Sequence, residues 1–185
     1  MEVKVGNVII ECVRGDIAKQ VGFDAVVNAA NAMLKPGGGV AGAIHRAAGP
    51  ELEKECRNLA PIKPGEAVIT KGYRLPNKFV IHCLGPVYGV DHPEEELLSN
   101  CYKNALELAE KNQIESIAFP AISTGAFGYP MRDAAEVAFK TILSMVDKLK
   151  HVKRIRFVLY AEKDLKIHEE VLKKILEEKG IKVEK

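Results

Sequence analysis

Residues 115–128 read ESIAFPAISTGAFG, an apolar segment followed by small residues and two glycines. The run at 115–120 is typical of a buried strand, and the glycine-rich loop at 123–128 leads into a helical pattern over 131–149. In open α/β sheets, ligands bind beyond the carboxyl ends of the strands. This stretch therefore predicts both an α/β fold and a candidate site in the loop that follows the strand.

Strands and helices alternate along the rest of the chain. Short apolar runs predict the strands 8–13, 24–28, 66–71, 78–84 and 154–160, and helical periodicity predicts the helices 40–48, 51–59, 94–112 and 164–179. Such alternation is typical of a three-layer α/β/α sandwich with a mixed, largely parallel central sheet. No linker, repeat or low-complexity stretch divides the chain, so residues 1–185 are predicted to form one domain.

The charge of the chain is nearly balanced, with 27 Lys and Arg residues against 25 Asp and Glu residues. This balance makes nucleic acid an unexpected partner. The four cysteines form no CxxC pair and have no metal-ligand spacing, so we expect reduced core cysteines, no metal and no cofactor. No apolar run suits a signal peptide or a membrane span, so we expect a cytoplasmic protein without a membrane partner, and we favour a monomer.

A second glycine-rich loop, Gly37-Gly38-Gly39, follows the strand 24–28 and precedes the helix 40–48. Glycines allow backbone N–H groups to converge on an anion, and a helix N-terminus adds partial positive charge. Neither loop has a Walker A sequence or a GxGxxG dinucleotide pattern. Taken alone, the three glycines fit a turn as well as a phosphate site. Two such loops facing one crevice would hold two linked phosphates from opposite sides.

Four side chains near the predicted strand ends suit a nucleotide ligand, and three of them have a structural alternative. The carboxylate of Asp16 would accept the amino group of adenine, or it would cap a short helical segment. The amide of Asn31 suits a ribose diol, or it belongs to a turn. Phe127 stands among small loop residues, which favours a ligand platform. Tyr160 would stack on a base or lie in the core, and His45 is more often structural on such a helix.

Three segments together resemble the signatures of the macro-domain family: 28–31 (NAAN), 37–40 (GGGV) and 123–130 (STGAFGYP). They occur in the family's order and spacing, and the similarity extends over residues 8–180. The resemblance implies a macro-domain fold and an ADP-ribose site. Some features of the first loop are similar to MacroD-type hydrolases, and others are similar to viral macro domains.

By this resemblance, Asp16 holds the adenine amino group and Tyr160 lies against the adenine. Asn31 binds the distal ribose, which Phe127 faces, and the two loops enclose the pyrophosphate. The residues implied to bind the ligand are Asp16, Ile17, Asn28, Asn31, Gly38, Gly39, Val40, Ser123, Thr124, Gly125, Ala126, Phe127 and Tyr160. The residues implied to act in catalysis are Asn31, Gly39, His45 and Phe127.

One position departs from the MacroD-type pattern. Those hydrolases have an Asp after Gly-Gly-Val, and here this place is Ala41, although His45 matches their Ile-His. Glycosidases normally use two carboxylates, and no such pair is evident. A Glu or Asp ester, however, leaves as a carboxylate whose acid has a pKa of about 4, so it needs no proton. A water held near Asn31, with the substrate's own phosphate as base, would then suffice.

The resulting hypothesis is a domain that binds ADP-ribose and hydrolyses mono-ADP-ribosyl groups ester-linked to acidic side chains, or related metabolites such as O-acetyl-ADP-ribose. Its expected partners are ADP-ribose and ADP-ribosylated proteins or metabolites. The alternative is a non-catalytic reader, which binds ADP-ribose without cleaving it. Binding of nucleic-acid ends or poly-ADP-ribose is a weaker alternative, because the balanced charge disfavours long polyanions.

Overall fold

The structure is a computed structural model that describes residues 1–181. The last four residues of the domain predicted over 1–185 lie outside the described residues. The strands are β1 (Glu2–Val5), β2 (Val8–Arg14), β3 (Ala25–Ala29), β4 (Ala67–Lys71), β5 (Phe79–Cys83), β6 (Ser116–Phe119) and β7 (Arg154–Leu159). The helices are α1 (Gly39–Ala48), α2 (Pro50–Arg57), α3 (Glu94–Lys111), α4 (Met131–Met145) and α5 (Glu162–Glu178), with short 3-10 helices at Ile17–Lys19 and Val146–Lys148.

The strands form one seven-stranded sheet in the order β1-β2-β7-β6-β3-β5-β4. Strands β2, β7, β6, β3 and β5 run parallel to one another, and the two edge strands are antiparallel to their neighbours. The prediction of a mixed, largely parallel sheet is therefore confirmed. Because the parallel strands share one carboxyl edge, the loops that follow them converge there.

Helices cover both faces of the sheet. Helices α3, α4 and α5 pack on one face, and α1, α2 and the 3-10 helix Ile17–Lys19 pack on the other. Strand β3 contributes to both layers, since Ala25 and Val27 face the first core while Val26 faces the second. The predicted three-layer α/β/α sandwich is confirmed, and each layer has its own hydrophobic core.

Two elements differ from the sequence prediction. The sequence does not predict β1, because a four-residue edge strand carries little apolar signal of its own. This strand pairs with β2 through a two-residue turn in which Gly6 has a φ of +59°, a conformation suited to a tight hairpin. The helix predicted over 131–149 ends at Met145 and continues as the 3-10 helix Val146–Lys148. Within residues 1–181, no helix is long and apolar enough to cross a membrane.

Candidate active site at the carboxyl edge of the sheet

A cavity of about 790 Å³ opens at the carboxyl edge of the sheet. The segments that follow β2, β3, β6 and β7 form its walls, so the strand ends singled out in the sequence meet at one place. The predicted ligand-binding residues that line it are Asp16, Ile17, Asn31, Gly38, Gly39, Val40, Ser123, Thr124, Gly125, Ala126, Phe127 and Tyr160. A smaller depression of about 370 Å³ between α3 and β4 contains none of the predicted residues.

The first glycine-rich loop packs directly on α1. Gly39 has a φ of +55°, which favours glycine, and the helix begins there without a side-chain cap. A Cβ on Gly42 would lie 2.3 Å from the carbonyl oxygen of Gly37, so only glycine permits this approach. The backbone N–H groups of Gly39, Val40 and Ala41 donate to no acceptor within residues 1–181. These first-turn donors are therefore available to a ligand in the cavity.

The second glycine-rich loop is held by its own hydrogen bonds. Ser123 has a φ of +68° and is 6% exposed, and its carbonyl oxygen accepts from the backbone N–H of Tyr129 at 2.9 Å. The N–H groups of Gly125, Ala126 and Phe127 donate to no acceptor in the described part of the chain. Unpaired backbone donors of this kind bind anions when they converge. The cavity thus has a set of free amides on each of two loops.

The ends of β2 and β7 form the acidic end of the cavity. Oδ1 of Asp16 accepts from the backbone N–H of Ala18 at 2.9 Å, so Asp16 caps the 3-10 helix Ile17–Lys19. Only one carboxylate oxygen is used in this way, and the other is free to accept from a ligand. Asp164 also lines this end. Tyr160 is 87% exposed, which removes the alternative of a core tyrosine and leaves its ring available at the cavity rim.

The structure corrects the placement of two predicted site residues. Asn28 and His45 do not line the cavity; both are buried, at 1% and 6% exposure. The strand alternation that turns Val26 toward the second core also turns Asn28 there, where its Nδ2 lies 3.1 Å from Nδ1 of His82. Burial lowers the pKa of His45, and Glu53 opposes this effect. His45 is therefore not among the residues that line the cavity, and its catalytic role stays a prediction.

Sequence reasoning missed several residues that line the cavity. The most informative is Arg46, which is the one cationic side chain among the lining residues of the described chain. Its position seven residues after Gly39 places it on the same helix face, a signal that was present in the sequence. Gly85 also lines the cavity, and a Cβ there would lie 2.0 Å from Oγ of Ser123. No group of three His, Cys, Asp or Glu side chains within residues 1–181 is placed to hold a metal.

The fold and the site together define an α/β domain with a candidate anion site at the carboxyl edge of its sheet. The Macro domain family model matches residues 27–138. An O-acetyl-ADP-ribose deacetylase of Citrobacter rodentium is 48% identical to this chain, and the match covers 90% of this chain and 96% of the length of the relative. The human ADP-ribose glycohydrolase MACROD2 is 51% identical over 84% of this chain and 37% of its own.

A solved structure agrees with these sequence matches. The Oceanobacillus iheyensis macrodomain with ADP is 43% identical and superimposes with a TM-score of 0.91, covering 96% of this chain and 97% of the other. The chain therefore belongs to the macro-domain family.

Proposed function

We propose that this chain binds ADP-ribose in the cavity and hydrolyses mono-ADP-ribosyl groups that are ester-linked to acidic side chains, or related metabolites such as O-acetyl-ADP-ribose. The observation that carries this proposal is the presence of free backbone amides on both loops of one cavity. Three follow Gly38 and three follow Thr124. Two linked phosphates between the loops would satisfy donors on both sides.

The two ends of the cavity carry different side chains, and this difference would set the orientation of the ligand. Asp16 and the exposed ring of Tyr160 stand where β2 and β7 end, and they suit an adenine, which has an amino donor and a flat face. Asn31 stands on the other side of the second loop, after β3. The distal ribose would therefore lie beside Asn31, with Gly39 and Phe127 around it.

Hydrolysis at this end would depend on the leaving group. For an ADP-ribosyl group linked to an acidic side chain, water adds its oxygen to the anomeric carbon, the bond from that carbon to the ester oxygen breaks, and the electron pair leaves with the carboxylate. The proton of the water passes to the substrate's phosphate. For O-acetyl-ADP-ribose, water would add to the acetyl carbonyl carbon, the bond from that carbon to the ribose oxygen would break, and the ribose oxygen would take a proton of the water. The carboxylates that line the cavity, Asp16 and Asp164, both stand at the proposed adenine end, and Ala41, beside the first loop, would lie toward the distal ribose. For the side-chain esters, positioning and electrostatics would then supply the catalysis, because a departing carboxylate needs no proton donor.

The names of the relatives support turnover over a reader role. One is an O-acetyl-ADP-ribose deacetylase and another is an ADP-ribose glycohydrolase. A non-catalytic reader is the second candidate, and the alanine at position 41 favours it, because a carboxylate there would help to place a water. ADP-ribosylated proteins as substrates, a cytoplasmic location and a monomeric state stay predictions.

A turnover assay separates the two candidates. Purified protein is incubated with a peptide that carries ADP-ribose on a glutamate side chain, and released ADP-ribose is measured against time. We expect release that depends on enzyme concentration, whereas a peptide with ADP-ribose on arginine should remain intact. A protein that binds ADP-ribose yet releases none from the glutamate-linked peptide over hours would be a reader. The Ala41→Asp variant, which adds a carboxylate beside the first loop, should raise the rate.

A further inference from the structure

Arg46 reaches from the last turn of α1 toward the first glycine-rich loop. Its Nη1 lies 2.9 Å from the point that a Cβ on Gly42 would occupy, and the carbonyl oxygen of Gly37 lies 2.3 Å from the same point. The missing side chain at Gly42 therefore leaves room for the guanidinium beside the loop. A Cβ on Gly37 would in turn lie 3.5 Å from Nδ2 of Asn31. Arg46, Gly37 and Asn31 thus form one continuous part of the wall.

No carboxylate within residues 1–181 lies within 4.0 Å of the Arg46 guanidinium, although most arginines of the chain have such a partner. The side chain is exposed and lines the cavity. Guanidinium is a planar donor that matches a carboxyl group with two parallel hydrogen bonds. An arginine without an internal partner at this place is therefore available to an oxygen-rich group of a ligand.

We infer that Arg46 recognises the carboxyl group through which ADP-ribose is attached to its target, and so makes the site selective for carboxyl-linked ADP-ribose. This inference rests on the proposed function and on the direction of the ligand, with the distal ribose beside Asn31. In the bound state the guanidinium donates to the carbonyl oxygen of the link. After the bond between the anomeric carbon and the ester oxygen breaks, it neutralises the released carboxylate, which carries the electron pair of that bond.

The diphosphate does not need Arg46. The free amides of both loops supply its donors, and they precede Arg46 by more than one helical turn on α1 or lie on the second loop. Free ADP-ribose has no carboxyl group at its distal ribose. Removal of the guanidinium should therefore weaken binding of carboxyl-linked ADP-ribose more than binding of free ADP-ribose. If Arg46 had only a structural role, its removal would weaken both equally.

The first part of the test measures binding, and it does not depend on turnover. The probes are ADP-ribose and a peptide with ADP-ribose linked to glutamine, in which an amide replaces the labile ester and keeps the carbonyl. We expect Arg46→Ala to lower the affinity for the linked peptide by roughly tenfold and the affinity for ADP-ribose by less than about twofold. The affinity of Arg46→Lys for the linked peptide should lie between those of the wild type and Arg46→Ala, since lysine keeps the charge without the planar pair of donors. Lys54→Ala, an exposed charge loss on α2, is the matched control and should change neither affinity.

The second part measures kcat on the glutamate-linked peptide, which Arg46→Ala should lower by about tenfold. Equal losses of affinity for both probes would mean that Arg46 contacts the phosphates or holds the loop, and the inference would be wrong. Unchanged affinities for both probes would also overturn it. If the wild-type protein releases no ADP-ribose but its binding of the linked peptide still depends on Arg46, the hydrolase proposal fails and this inference stands.

Discussion

The side-chain amide of Asn31 forms two hydrogen bonds with the backbone of Lys35. Nδ2 donates to the carbonyl oxygen at 2.7 Å, and Oδ1 accepts from the N–H at 3.0 Å. These bonds close the loop just before the three glycines. One amide hydrogen and one lone pair of Asn31 remain for a ligand. The two interpretations of Asn31, as a turn residue and as a ribose contact, are therefore compatible.

The substitution Asn31→Ala should slow turnover more than it weakens binding, because the distal ribose would lose its positioning at the reacting carbon. We expect the affinity for ADP-ribose to drop by about 1 kcal/mol, and kcat on a glutamate-linked peptide to drop by roughly a hundredfold. Calorimetry and a release assay measure the two quantities. Equal losses in both would mean that Asn31 serves only to shape the loop.

The substitution Gly38→Glu should abolish ADP-ribose binding without unfolding the chain. A Cβ on Gly38 meets no atom within 4 Å, and its φ of −86° suits any residue, so the fold tolerates a side chain there. The added carboxylate would repel the diphosphate. Gly38→Ala is the matched control and should bind within a few-fold of wild type. If the glutamate variant binds ADP-ribose normally, the phosphates lie elsewhere.

The substitution Asp16→Asn separates the cap of the 3-10 helix from the proposed adenine contact. Its Oδ1 can still accept from the backbone N–H of Ala18, but its amide would present a donor to the adenine amino group. We expect an unchanged thermal midpoint and an affinity for ADP-ribose weaker by about 1.5–3 kcal/mol. Asp16→Ala should show the same loss of binding together with about 1 kcal/mol of lost stability. A normal affinity in the asparagine variant would remove Asp16 from the site.

The buried histidine His82 should make the protein sensitive to mild acid. Burial lowers the pKa of His82 to about 3. Its Nε2 lies 2.9 Å from Oγ1 of Thr70, within hydrogen-bond distance. The folded chain therefore keeps the ring neutral. The unfolded chain takes up the proton below its ordinary pKa of about 6.5. The stability that this group contributes is therefore fully present above pH 6.5, and it declines as the pH falls from there toward the folded value.

Urea unfolding at several pH values measures this effect. One proton bound only in the unfolded state gives a slope of up to about 1.4 kcal/mol per pH unit. We expect His82→Gln to flatten the slope between about pH 6 and 4. An unchanged slope in His82→Gln would contradict the assignment.

Short-range patterns in the sequence predicted the strands and loops beside the site. Apolar runs located the strands, and glycine runs located both loops, because a tight approach such as that of Gly42 to Gly37 excludes other residues. Features that depend on tertiary packing were not predicted. Asn28 faces the core because strand alternation turns it to the same side of β3 as Val26, and the sequence alone does not show which side of β3 borders the cavity. The place of Arg46 at the wall depends on the space left by Gly42.

The affinity for ADP-ribose compared with that for AMP, measured by calorimetry on the wild-type protein, tests the two-loop site most directly. AMP offers its adenine to Asp16 and Tyr160 and one phosphate to the loop amides, but it lacks the second phosphate and the distal ribose. With free amides on both loops, we predict that ADP-ribose binds at least about tenfold more tightly, the effect of one hydrogen bond to a charged group. AMP binding as tight as that of ADP-ribose would contradict the account.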